Sequence, residues 1–149
     1  MSAGSIITLP GGDIRFRAAL SAAVRDLGGR IFEIDLPPVF VAPISILICA
    51  RIHELEPTGP LVVVAPASSA AYLPALALAQ RTAHRRVAAY YLIDPLTDPT
   101  GPEWPDAPVY LAQQNSVAAS KLPELRGWQA FNFNAIDELA SALVASTNI

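Results

Sequence analysis

Leu61-Val62-Val63-Val64-Ala65-Pro66-Ala67-Ser68-Ser69-Ala70 is the stretch that decides the fold. Its first five residues are apolar without interruption, and three consecutive valines stand at the centre. A strand with one wet face would alternate apolar and polar side chains, whereas this run suits a strand covered on both faces inside a parallel sheet. The proline and the small residues that follow end the strand and lead into a helix.

Working outward, β-rich runs recur at Ser5–Leu9, Arg30–Asp35, Val87–Ile93, Val109–Ala112 and Trp128–Asn132. Between them lie alanine- and leucine-rich segments, and this alternation implies βαβ units. A first helix is expected over Ile14–Leu27, with Phe16, Ala19, Leu20, Ala23 and Leu27 on one stripe and Gly28 at its left-handed end. Further helices are expected over Pro43–Leu55 and Ala70–Ala83, with a shorter one from about Ser116 that Pro123 limits. In the last helix, Asn134 is the expected cap, Asp137 completes the capping arrangement, and Ile136, Leu139, Ala140, Leu143 and Val144 form the buried face. The fold class read from this pattern is a three-layer α/β/α domain spanning 1–149, with a mainly parallel six-stranded sheet.

Composition agrees with a packed chain: 52% of the 149 residues are hydrophobic and 15% are charged, far from the signature of disorder. A net charge of −3 leaves no basic stripe for phosphates, so nucleic acid is not an expected partner. Apolar runs such as 44–50 and 70–79 fall short of the ~20 residues of a membrane span, and no basic segment precedes an apolar one at the N-terminus, so the expected location is cytoplasmic. Cys49 stands alone between Ile48 and Ala50, which excludes an intrachain disulfide and suggests a buried small hydrophobe. No metal-ligand spacing occurs, and no cofactor is expected.

Right-handed crossovers cover both faces of the sheet only if the chain reverses direction, giving the expected order second, first, third, fourth, fifth, sixth. Ligands bind such sheets where the order reverses, outside the C-terminal ends of the strands. Two loops meet there, Pro10-Gly11-Gly12-Asp13 and Ala65–Ala70. Small residues let backbone N–H groups approach a ligand, although tight strand-to-helix turns need the same residues. Two longer connections at this edge, Leu36–Pro43 and Asp94–Ala107, supply Phe40 and Trp104. Together with Tyr72 and Phe133 these are candidate walls of an apolar cleft, with Ser68, Ser69, Asn115 and Asn134 as directing polar groups. Asp13 and Asp94 lie at strand ends near the same crevice, where a cap and a turn are their alternative duties.

Ile6–Gly12 with the following helix and Gly29–Pro37 resembles the oxyanion-loop strand, first helix and next strand of the α/β hydrolases. Leu61–Ser69 is similar to their nucleophile strand and elbow, and Arg86–Pro95 to the strand ending in Asp-Pro of thioesterase- and esterase-like members. Pro108–Asn115 resembles the strand that carries the catalytic acid, and Trp128–Ala145 the last strand and helix. The resemblance implies a truncated hydrolase-like core without a cap domain. It also exposes departures. The nucleophile slot falls on Ala67 in one register and on Ser68 in the other; the acid position falls near Gln114 or Asn115; the histidine position falls among Asn132, Phe133 and Asn134. The only histidines, His53 and His84, are expected at the opposite edge of the sheet from Ser68, too far for general-base catalysis.

The leading expectation is therefore a catalytically impaired hydrolase-like protein that binds an apolar or acyl-type ligand, or a partner protein, at the C-terminal edge. The alternative is an enzyme of altered chemistry, thioesterase-, lyase- or cyclase-like, using Ser68, Asp13 or Asp94. The family's first two strands have no counterpart here, so Arg30–Asp35 is expected at an exposed edge, where pairing into a homodimer is the third expectation.

Overall fold

The computed structural model describes residues 4–96, 99, 101, 103–114 and 127–148. Six strands form one parallel sheet: β1 (Ser5–Thr8), β2 (Ile31–Glu33), β3 (Leu61–Pro66), β4 (Val87–Ile93), β5 (Val109–Gln114) and β6 (Gln129–Phe133). Their spatial order is β2-β1-β3-β4-β5-β6, as expected from the alternation and the handedness rule. Four helices are described: α1 (Ile14–Asp26), α2 (Ile44–Leu55), α3 (Leu73–Thr82) and α4 (Ile136–Ser146).

The valine run explains the layering. Val62 and Val64 join Leu20 and Val24 of α1 and Leu139 and Leu143 of α4 on one face of the sheet. Val63 joins Ile48 and Ile52 of α2 and Leu73 and Leu76 of α3 on the other. Side chains alternate across a strand, so a core on both faces demands an apolar residue at every position. The change of direction after β2 puts α1 and α2 on opposite faces, because right-handed crossovers running in opposite senses along a sheet cover opposite sides.

Differences from expectation are local. Asn134 does not cap α4; the N-cap is Ala135, which has no side-chain hydrogen bond. Glu138, rather than Asp137, supplies the carboxylate, accepting the Asn134 backbone N–H at 3.1 Å. The glutamate at the third helical position reaches back over one turn, which the shorter and misplaced Asp137 does not. The third helix opens as a 3-10 turn over Ala67–Tyr72 and becomes α-helical only at Leu73. Cys49 is half-buried, and burial raises its thiol pKa, so it is a packing residue with little thiolate character. The short helix expected near Ser116 lies outside the described residues. Among the described residues, no helix is long and apolar enough to cross a membrane.

Candidate functional site

β1 and β3 are neighbours at the reversal point, and the loops leaving them enclose a cavity of about 220 Å³ at the C-terminal edge. Leu20, Val64, Ile93 and Ala112 contribute apolar surface, and Phe16 and Phe133 stand in it with ring centroids 6.3 Å apart. Thr8, Gly11, Gly12, Asp13, Arg17, Pro66, Ala67, Asp94 and Gln114 complete the described lining.

Two features hold the loops together. The Ser69 hydroxyl, almost fully buried, donates to the Pro10 carbonyl and ties the β1–α1 loop to the turn after β3. Gly12 has φ +72°, and a Cβ there would come within 3.0 Å of Pro66 Cβ; backbone curvature and close approach both select glycine. Asp13 lines the cavity and also caps α1, its Oδ1 accepting from the Arg15 N–H at 2.9 Å. Of the duties foreseen for it, the helix cap is therefore present.

Ala67 is the first residue after β3, at φ +51°, and it lines the cavity. An alanine in the left-handed region is strained, and strain of this kind gathers where a chain must turn sharply to present a side chain. In the adjacent strand, Ile93 pairs with Pro66, so Asp94 (φ +45°) stands beside Ala67 on the rim. The Leu96 N–H donates to the Ala67 carbonyl at 3.3 Å and links the two turns. Ser68 is exposed and is not among the cavity's lining residues.

The remaining candidates separate. Asn134 is exposed and its backbone serves the start of α4, whereas Phe40 is exposed on the β2–α2 loop. Tyr72 and Trp104 pack against the core on the α2–α3 face. None of the four lines the cavity. Asn115 lies outside the described residues. His53 is exposed in the groove between α2 and α3, and His84 occupies the left-handed position (φ +57°) that closes α3. His84 precedes Val87, which pairs with Leu61 at the start of β3, whereas Ala67 follows its end. The length of a six-residue strand, ~17 Å at 3.3 Å per step, separates the two levels.

Arg17 is the contributor that sequence reasoning missed. Its side chain is 13% exposed, with Nη1 at 2.8 Å from Asp35 Oδ1 and Nε at 3.7 Å from Glu33 Oε1. Nη2 donates to the carbonyls of Ile34 at 2.7 Å and Thr8 at 3.2 Å. One guanidinium thus staples the end of the three-residue β2 to β1, a task suited to its planar fork of donors. The available signal was an arginine one turn into the first helix and acids at 33 and 35 closing the next strand, but only the fold brings them together.

No protein-family model matches the chain, and no curated protein matches it. Solved structures do match. A hydrolase-like protein of the alpha/beta superfamily from Xanthomonas campestris pv. campestris is 14% identical, with a TM-score of 0.58, the match covering 98% of this chain and 96% of that one. The RedJ thioesterase from the prodiginine biosynthetic pathway in Streptomyces coelicolor is 10% identical, with a TM-score of 0.67 and coverage of 95% and 85%. An arylesterase is 10% identical, with a TM-score of 0.58 and coverage of 98% and 77%. Likeness at this level of identity establishes architecture: the chain has the α/β-hydrolase fold.

Proposed function

We propose that this chain is a hydrolase-fold protein without a working serine triad, and that its crevice binds a small apolar or acyl-type ligand. One observation carries the reading. Of the alternatives that the resemblance leaves for the nucleophile, acid and histidine slots, one for each, Ala67, Gln114 and Phe133, borders the same cavity. A methyl, a carboxamide and a phenyl group cannot relay a proton, so the crevice retains its walls while the chemistry of a triad is missing. A cavity with apolar walls and a few polar groups is the usual form of a small-molecule site. A partner protein is the other occupant of this edge, favoured by three consecutive exposed residues on the adjoining loop: Val39 (71%), Phe40 (53%) and Val41 (86%).

Purified protein incubated with 4-nitrophenyl butyrate and a short-chain acyl thioester should release product no faster than the buffer control. Turnover that disappears in Ser68→Ala would reject the reading. Sedimentation over a hundredfold range of concentration tests self-association, and an unchanging monomer mass removes a second copy from consideration.

A second reading rests on Asp94, a carboxylate in strained backbone beside the empty nucleophile slot and on the same cavity as Asp13. In this reading the two acids perform acid–base chemistry without a histidine, as a thioesterase-, lyase- or cyclase-like site, of which the first is open to an ester assay. Ester or thioester turnover abolished by Asp94→Asn but retained in Ser68→Ala would favour it over the first.

A further inference from the structure

A surface helix turns charged side chains to water, whereas a helix that is apolar all round is normally covered on both sides. α1 and α4 follow the first pattern: Arg15, Arg25 and Asp26 of α1 and Asp137 and Glu138 of α4 are exposed. α3 does not. Its inner residues Leu73, Leu76 and Ala77 join the core, and the positions left exposed are Ala75, Leu78 and Thr82. The first two turns of α2 are similar, with Ile48 buried while Ile46 and Ala50 are open to water. Charge reappears on α2 only at Arg51 and Glu54, which pair with each other at 3.1 Å.

Between the two helices runs a groove of about 450 Å³, walled by Ile46, Ala50 and His53 on one side and Ala75, Ala79 and Ala83 on the other. Arg85 is the one permanently charged side chain in its described lining, and it donates to Gln80 Oε1 at 3.0 Å. Ile46 (57% exposed) and Leu78 (58%) stand on the two helices, and the exposed run Val39-Phe40-Val41 leads into the Pro43 cap of α2. These are five of the eight large apolar side chains exposed among the described residues. At roughly 150–200 Å² for a fully exposed large apolar residue, they present about 500 Å². The alanines of the groove wall add to this, against the ~800 Å² that each partner gives to an interface of standard size.

We propose that this face pairs with the same face of a second copy, forming a two-fold dimer through α2 and α3. An isologous interface must be complementary to itself, and this face carries both halves of such a contact, the projecting Ile46 and Leu78 and the alanine-lined groove beside them. Homodimer interfaces are more apolar than transient ones and poor in charge at their centre. Here a chain of net charge −3 offers a face whose described charges are paired within it or hydrogen-bonded, so two copies meet without an unanswered like charge. A partner with a charged docking segment would find nothing on it to answer that charge. The face is distinct from the β2 edge and its pairing does not depend on what the crevice holds.

Sedimentation equilibrium of the full chain from low to high micromolar concentration is expected to show exchange between monomer and dimer. Ile46→Glu and Leu78→Glu should each raise the dissociation constant at least about tenfold, because every substitution enters a two-fold interface twice. Both positions are exposed, so circular dichroism and the thermal midpoint should match the parent at concentrations where the parent is monomeric. Leu27→Glu, at an exposed apolar position at the end of α1, should leave the constant unchanged. On dilution, amide shifts should move along α2, α3 and residues 39–41 rather than along β2. A mass that stays monomeric, a dimer that survives both helix substitutions, or one weakened as much by Leu27→Glu would overturn the proposal. The first outcome would leave the face to a protein of another sequence, and the second, with shifts along β2, would put the contact on the sheet edge.

Discussion

Two regions of the molecule, a clasp on the α2–α3 face and the crevice, treat their charged groups in opposite ways. On the α2–α3 face, the hydroxyl of the fully buried Tyr90 donates to Asp106 Oδ1 at 2.6 Å. Asp106 Oδ2 in turn accepts from Arg81 Nη1 at 2.9 Å. Trp104 sits edge-on to Tyr90, ring centroids 5.5 Å apart, and edge-on to Trp128 at 6.2 Å. Every charge in this clasp has a partner, and its product is order: it fastens the proline-rich β4–β5 connection to the core. At the crevice, the Asp94 side chain has no partner among the described residues, and Ala67 and Asp94 hold left-handed backbone. Committed polar groups make structure, whereas uncommitted ones in strained positions are available to a ligand.

This contrast can be broken by measurement. The largest expected effect is at the aromatic centre of the clasp, where Trp104→Ala should cost about 3 kcal/mol in urea denaturation, the low end for a large aromatic because Trp104 is only partly buried. A cost below about 1 kcal/mol would mean that the loop is not anchored there. Asp106→Ala comes next, at about 2 kcal/mol, because it leaves the Tyr90 hydroxyl buried without an acceptor.

Alkaline titration probes the same pair. Burial first, and then the Asp106 carboxylate, raise the Tyr90 pKa well above the usual phenol value. The unfolded chain gives up this proton from about pH 10 while the folded protein keeps it, so the folded state binds more protons and stability falls as pH rises. The loss attributable to Tyr90 should be about 1 kcal/mol by pH 11. In Tyr90→Phe the fall above pH 10 should be shallower by that amount, and an unaltered slope would contradict the assignment.

The smallest effect belongs to the crevice: Asp94→Asn should change stability by less than about 0.5 kcal/mol, since it removes no interaction and preserves the turn. A loss comparable with that of Asp106→Ala would erase the distinction between the two regions and give Asp94 a structural duty.

Strand positions, strand order and the placement of helices were legible in the chain because burial imprints itself on neighbouring residues: Val62-Val63-Val64 reports two covered faces without reference to anything distant. The reversal point and the approach of Gly11, Gly12, Asp13 and Asp94 followed from handedness, which is a local property of L-residues. Three matters required the tertiary structure. Which of Ala67 and Ser68 takes the left-handed turn after β3 is one, because both are small residues acceptable in either register. Trp104 lies on the clasp face rather than in the crevice, because Tyr90 and Trp128 offer it apolar edges across the sheet. Arg17 became part of the site only when the end of β2 reached it, through contacts to residues 33–35 that no helical or strand period encodes.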